Sequence, residues 1–220
     1  MKEVVVPSYK EGLKELRGSL AYMLPGDALE IFDVDAKALQ KEHTSVLNLN
    51  IGDKATDFTL SNAVNKSVNL YEVLKTDRVV LTFYRGAWCP YCNLALNQYQ
   101  AILPDIKDAG ATLIAISPQS PDGSLNMQER NGLQFEVLSD NGNLIAKEYT
   151  TVHAYPKNSL DTMIEMGYDY DSYNSDEDSA LPVPATFIIE RDATISFARS
   201  EGADYRNRVE PKEIINALNK

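Results

Sequence analysis

Apolar positions in the first fifty residues recur at helical spacing. Leu13, Leu16, Leu20 and Met23 form one stripe, Pro25-Gly26 interrupts it, and Leu29, Phe32, Ala36 and Leu39 form a second. Such stripes ordinarily bury against a core. Residues 1–50 therefore read as an N-terminal helical extension with no chemistry of its own, serving as a cap on the rest of the chain or as a homodimer surface.

From residue 51 the pattern changes to short apolar runs that alternate with longer periodic segments. Strands are expected at Asp57 to Leu60, Ser67 to Leu70 and Val79 to Tyr84, the last β-branched and aromatic. A helix carrying Leu94, Leu96, Ala101, Leu103 and Ile106 comes next, bending at Pro104. A buried strand at Ala111 to Ile116, a Ser-Pro-rich turn, a helix to about Arg130, a strand at Phe135 to Leu138 and a helix at Leu144 to Tyr149 continue the alternation. The stretch from there to Leu181 reads as irregular. Strands at Ala185 to Glu190 and Thr194 to Ala198 then form a hairpin over Arg191-Asp192-Ala193, and a last helix begins at Pro211. This order predicts an α/β domain over residues 51–220, with a mixed central sheet flanked by helices. No internal repeat is visible.

Composition narrows the function classes. The chain has 220 residues, 44% hydrophobic and 24% charged, with a net charge of −11, within the range of soluble globular proteins. That charge argues against nucleic-acid binding, which needs a Lys/Arg surface. No apolar run approaches the ~20 residues of a membrane helix, so no membrane partner is expected. Met1-Lys2-Glu3-Val4-Val5-Val6-Pro7 lacks the apolar core of a secretory signal. A cytoplasmic setting is expected, where a cysteine pair is kept reduced and cycled.

The chain has two cysteines, and they stand in Trp88-Cys89-Pro90-Tyr91-Cys92, at the junction of the Val79–Tyr84 strand and the next helix. A CxxC at such a junction is a thiol redox motif. Pro90 suits the first helical position, and the helix N-terminus stabilises a thiolate. Cysteines at i and i+3 in a first turn lie about 5–6 Å apart at Cα, within disulfide range. A zinc half-site would need two more ligands, yet no other cysteine exists and His43 and His153 lack any finger-like spacing.

The segment Phe83-Tyr84-Arg85-Gly86-Ala87-Trp88-Cys89-Pro90-Tyr91-Cys92 resembles the active-site segment of the alkyl hydroperoxide reductase/thiol-specific antioxidant family, in its peroxiredoxin-like, CxxC-containing subgroup of the thioredoxin superfamily. Ile51 to Leu60 is similar to that family's opening stretch, with Thr56 where a proline is usual. Val183-Pro184-Ala185-Thr186-Phe187 resembles the superfamily's cis-proline loop and the strand after it. The resemblance runs from about residue 51 to 218 and implies a thioredoxin fold. It also implies a thiol-dependent peroxidase that reduces hydrogen peroxide or alkyl hydroperoxides and is recycled by a thioredoxin-type protein. No metal, flavin or nicotinamide is implied. In the family's register Cys92 takes the peroxidatic position and Cys89 replaces a threonine. The arginine usual on the late strand is missing, Pro184 occupying that neighbourhood as in thioredoxins. These departures keep two further readings open: a general thiol–disulfide oxidoreductase, and a non-enzymatic redox sensor.

Position at the helix end favours Cys89 as the attacking thiolate, whereas the family register favours Cys92. Arg85 is the candidate fixed positive charge beside either thiolate, with a solvated strand-end arginine as the plainer reading. Trp88 is expected to shield the pair, with a docking role and plain packing as the alternatives. Tyr91 and the Val183-Pro184 loop are candidate docking residues, with a cis Pro184 placing the Val183 backbone against the pair. The tyrosine- and aspartate-rich segment 168–178 reads as a solvated acidic loop packed by its own aromatics, or as a lid or partner-docking edge.

Overall fold

The computed structural model describes residues 6–169 and 179–220, so only the first two residues of the acidic 168–178 segment fall within the described structure. Helices α1 (Tyr9–Met23) and α2 (Ala28–Glu42) come first. The Ser8 hydroxyl caps α1 by accepting from the Glu11 N–H at 3.4 Å, satisfying one of the donors that a helix start leaves unpaired. Gly26 turns the chain between the helices at φ +54°, a conformation that costs a glycine little.

The remainder runs β1 (Thr59–Asn62), β2 (Ser67–Asn69), α3 (Leu70–Leu74), β3 (Arg78–Phe83), α4 (Pro90–Ala101), α5 (Leu103–Asp108), β4 (Ala111–Ser117), α6 (Pro121–Asn131) and β5 (Glu136–Ser139). After these come α7 (Ala146–Tyr149), β6 (Val152–Ala154), α8 (Lys157–Glu165), β7 (Ala180–Pro182), β8 (Ala185–Ile189), β9 (Ile195–Arg199) and α9 (Pro211–Leu218). A mixed seven-stranded sheet has the order β2-β1-β5-β4-β3-β8-β9. The neighbours β3, β4 and β5 are parallel, and the other pairs are antiparallel.

Side chains on the central strands alternate between two apolar clusters, as a pleat of period two requires. Val80, Leu113 and Ala115 face the cluster that holds both cysteines. Val79, Leu81, Phe83, Ile114 and Ile116 face the opposite one. Tyr9, Leu20, Ala36 and Leu39 from α1 and α2 belong to the cysteine-side cluster, so the extension caps this domain. Buried Asp35 fixes α2 to α8 by accepting from the Ser159 N–H at 2.9 Å and its hydroxyl at 2.7 Å.

Three sequence expectations shift. The stretch from 150 to 181, expected to be irregular, contains α8 and a two-stranded ladder of β6 with β7. Each strand has three residues, too few for periodicity to register. The expected strand at Asp57 begins at Thr59, because Asp57 turns its carboxylate to the Asn69 side chain and the Tyr71 N–H. The helix after the cysteines breaks at Ile102, and Pro104 sits in the first turn of α5, where a missing N–H costs nothing.

Candidate active site

The site stands at the carboxyl ends of β3 and β4, where open α/β sheets carry their ligands. Strand β3 ends at Phe83, and the chain passes through Tyr84, Arg85, Gly86, Ala87 and Trp88 into α4. Two bonds fix this loop: the Ala87 N–H donates to Gln119 Oε1 at 2.7 Å, and Asn93 Nδ2 donates to the Ala87 carbonyl at 2.8 Å. Gly86 allows the loop to fold tightly, since a Cβ there would meet Trp88 Nε1 at 2.5 Å.

Cys89 is the N-cap of α4, Pro90 occupies the first turn, and Cys92 lies within the same turn. The N–H groups of Cys92 and Asn93 both reach the Cys89 carbonyl at 3.1 Å. Both thiols are reduced and fully buried. Arg85, 1% exposed, is no solvated strand-end residue. Its Nη1 lies 3.8 Å from Cys89 Sγ, and its guanidinium stacks on the rings of Tyr205, Trp88 and Tyr155 at 3.7, 4.7 and 4.8 Å.

The other cation at the pair was not legible as a site residue. Arg208, buried in the loop before α9, donates from Nη2 to Cys92 Sγ at 3.1 Å. Strand β8, which follows Pro184, lacks an arginine, and this one stands on the loop after β9. Its Nη1 donates to the carbonyls of Tyr205 and Asn207. Three tyrosine hydroxyls pin this loop: Tyr9 to the Arg206 carbonyl at 2.7 Å, Tyr99 to Val209 at 2.8 Å and Tyr205 to Phe32 at 3.1 Å. Asp33 on α2 adds an ion pair with Arg206 at 2.6 Å and another with Arg17 on α1 at 2.6 Å. The extension expected to carry no chemistry therefore holds the segment that delivers Arg208. Nothing in the local pattern around Arg208 signals this, because its contact spans 116 residues.

The two thiols divide in character. Burial pushes the Cys92 thiol up, but the hydrogen bond from Cys89 and the charges of Arg208 and Arg85 overcome it and leave Cys92 well below the ordinary cysteine range. Burial and the neighbouring Cys92 hold Cys89 well above that range. The lower-titrating thiol is therefore Cys92, although Cys89 is nearer the helix end, because Cys92 accepts the Cys89 hydrogen bond and lies beside both guanidinium charges. Tyr84, Tyr155 and Tyr205 are held up by burial and stay neutral.

A cavity of about 400 Å³ opens in front of the pair, walled by Leu20, Leu24, Leu29 and Phe32 of the N-terminal region and floored by Arg85, Trp88, Tyr91, Tyr155 and Tyr205. Trp88 packs at a tilt on Tyr155 at 5.6 Å between centroids, and Tyr91 likewise on Tyr205 at 6.1 Å. Neither cysteine lines the cavity; Arg85 lines it and touches Cys89, linking the two.

Val183 and Pro184 are buried but line no part of this cavity. The expected cis bond is trans, for no cis peptide occurs among the described residues. Val183 continues the edge of β7, its N–H donating to the Thr151 carbonyl at 2.8 Å and its carbonyl accepting from the Thr150 hydroxyl at 3.0 Å. Its backbone groups are therefore committed to Thr150 and Thr151. His43 and His153, distant in sequence, bring their rings to 5.9 Å, while among the described residues no cluster of three or more His, Cys, Asp or Glu is arranged to hold a metal.

Comparison with known proteins agrees with this geometry. A Mycobacterium tuberculosis protein named as a peroxiredoxin is 34% identical over 97 residues, 44% of this chain and 61% of that protein. The chain thus spans about three fifths of the length of the curated relatives it matches. The thiol-disulfide oxidoreductase ResA of Bacillus thuringiensis is 29% identical over 102 residues, 46% of this chain and 58% of ResA. The crystal structure of peroxidoxin BcpB from Mycobacterium tuberculosis superposes with a TM-score of 0.61 at 18% identity, over 78% of this chain and 97% of that one, and shares the thioredoxin-type fold. The AhpC/TSA family model matches residues 51–198, from the loop ahead of β1 to within β9. With the fold, the CxxC at the strand-to-helix junction and a match over more than half its length, the chain belongs to the AhpC/TSA family.

Proposed function

We propose that this protein is a thiol-dependent peroxidase in which Cys92 attacks and Cys89 resolves. The observation that carries this reading is the Arg208 Nη2 to Cys92 Sγ contact of 3.1 Å, with Cys89 as a neutral thiol beside it. The Cys92 thiolate attacks the terminal peroxide oxygen and the O–O bond breaks. Cys92 becomes a sulfenic acid, and the departing alkoxide or hydroxide takes up a proton. Cys89 then attacks that sulfur, an S–S bond forms and water leaves. An external dithiol returns both thiols, and no other cysteine in the chain can substitute. Arg85, the link between cavity and pair, is the group to hold the peroxide oxygens, and Trp88 and Tyr91 form the floor the substrate crosses.

The reductant is a thioredoxin-type protein and the setting cytoplasmic, where a CxxC would be kept reduced and cycled. No described helix is long and apolar enough to cross a membrane. Similarity to ResA favours a second reading, general thiol–disulfide exchange. A small peroxide needs only a narrow opening to the fully buried sulfurs, whereas a protein partner of either kind, disulfide substrate or dithiol reductant, needs the pair to open toward it.

Peroxide titration followed by intact mass tests the proposal. One equivalent of peroxide should remove the mass of two hydrogens per chain as the pair closes. A stable gain of oxygen, or no change, would sink the resolving role of Cys89.

A further inference from the structure

The cavity in front of the cysteine pair has an unusual charge pattern. The chain carries a net charge of −11, yet none of the described residues lining this cavity is Asp or Glu. Its two charged lining residues are arginines: Arg85 in the floor and exposed Arg130 among the other lining residues. The remaining lining is apolar, aromatic or the amide Asn93, with Met163 and Met166 beside the leucines of the extension.

Arg85 is also the second buried cation beside a single thiolate. The Cys92 thiolate is bonded to Arg208, and the thiol facing Arg85 is neutral Cys89. No ion pair among the described residues includes Arg85, and its Nε and Nη2 atoms are buried with no hydrogen-bond partner there. Three aromatic faces offset part of the cost of burying this charge, but ring faces leave the in-plane N–H donors of the guanidinium unused. A planar fork with two free donors matches a carboxylate. The cavity volume, about 400 Å³, falls in the range of roughly 300–1,000 Å³ typical of small-ligand sites.

We propose that this cavity binds an organic monocarboxylate with an apolar body, its carboxylate on Arg85 and its body against Leu20, Leu24, Leu29 and Phe32. The inference concerns binding to the reduced protein and stands whether or not the peroxidase reading holds.

Trp88, the chain's one tryptophan, lines the cavity and covers Arg85 at 4.7 Å, so its fluorescence reports occupancy directly. The reduced full-length protein is titrated with decanoate, decanol and decyltrimethylammonium, three ligands of equal chain length and different charge. Decanoate should give a saturable change at concentrations at least about tenfold below decanol, the ratio expected of a charge-assisted hydrogen bond, and the cation should give none. Arg85→Met should abolish the preference for decanoate over decanol, and Leu29→Phe, which fills the cavity, should weaken both. Equal binding of all three ligands by the unaltered protein would make the cavity merely greasy and overturn the proposal, as would the absence of any saturable change with decanoate. Both readings come from unaltered protein, so a variant that fails to fold cannot obscure them.

Discussion

Arg208 donates from Nη2 to Cys92 Sγ at 3.1 Å, and against burial its charge joins the hydrogen bond from Cys89 in drawing the Cys92 thiol below the ordinary range. Cys89 has the better place relative to the helix dipole, but the dipole offers a partial charge where Arg208 offers a full one in hydrogen-bond contact. At a fully buried sulfur such a contact acts strongly, because solvent no longer screens it.

Arg208→Met should raise the Cys92 titration by about 1–3 pH units, the usual effect of removing an adjacent opposite charge. Ultraviolet absorbance of the thiolate against pH reads it. In the unaltered protein the thiolate, and with it peroxide reactivity, persists as pH falls below the ordinary cysteine value of about 8.5, and is lost only as pH passes the depressed Cys92 value. The stability contributed by this ionisation takes the same course: complete above the unfolded-state value and lost as pH falls through the folded one. An unchanged titration in Arg208→Met would remove the arginine from the site chemistry.

The two cysteine variants should fail differently. Cys92→Ser should not react with peroxide at all. Cys89→Ser should consume one equivalent and stop as a sulfenic acid, since no other thiol in the chain can condense with it. Trapping with a sulfenic-acid reagent and intact mass separates the two. A trapped sulfenic acid on Cys89 in the Cys92→Ser protein would reverse the assignment.

Asp33→Asn should act at a distance. Asp33 pairs with Arg206 and Arg17, each at 2.6 Å; burial pushes its carboxyl up, but the hydrogen bonds from the two arginines bring it below the ordinary range. The pair is partly screened, so the stability loss should be about 1–2 kcal/mol, measured by urea unfolding. Loosening the Tyr205–Arg208 loop should also raise the Cys92 titration in the same direction as Arg208→Met, though by less. A stability loss with an unmoved titration would make Asp33 a purely structural contact.

His153 should make the protein acid-sensitive. Burial is the main cause that lowers its imidazole to about 4, with Arg85 and His43 pushing the same way and the Ala154 carbonyl opposing. An unfolded histidine titrates near 6.5, so between about 6.5 and 4 the unfolded chain binds the extra proton and stability falls with falling pH. The loss should reach roughly 2–4 kcal/mol. Denaturant unfolding of the unaltered protein and His153→Gln at pH 7 and 4.5 should show a smaller drop in the variant; equal drops would place the acid sensitivity elsewhere.

Local patterns in the sequence determined much of this molecule. The short β-branched and aromatic runs Val79–Tyr84 and Ala111–Ile116 assign the central strands, whose side chains can be apolar on both faces because each faces one of two apolar layers. The stripes through Leu20 and Leu39 assign the first two helices, and Pro90 behind Cys89 places the pair in the opening turn of α4. These features depend on neighbours a few residues away, so the sequence displays them. Tertiary structure decided the rest. The ladder of β6 with β7 is stabilised by pairing across some thirty residues, and nothing within either three-residue strand announces it. The trans state of Pro184 accompanies the commitment of Val183 to Thr150 and Thr151. The charge on Cys92 depends on Arg208, on the tyrosines and Asp33 that hold its loop, and on helices that pattern alone showed only as a cap. A buried cation acts through distance in space, and only the folded chain sets that distance.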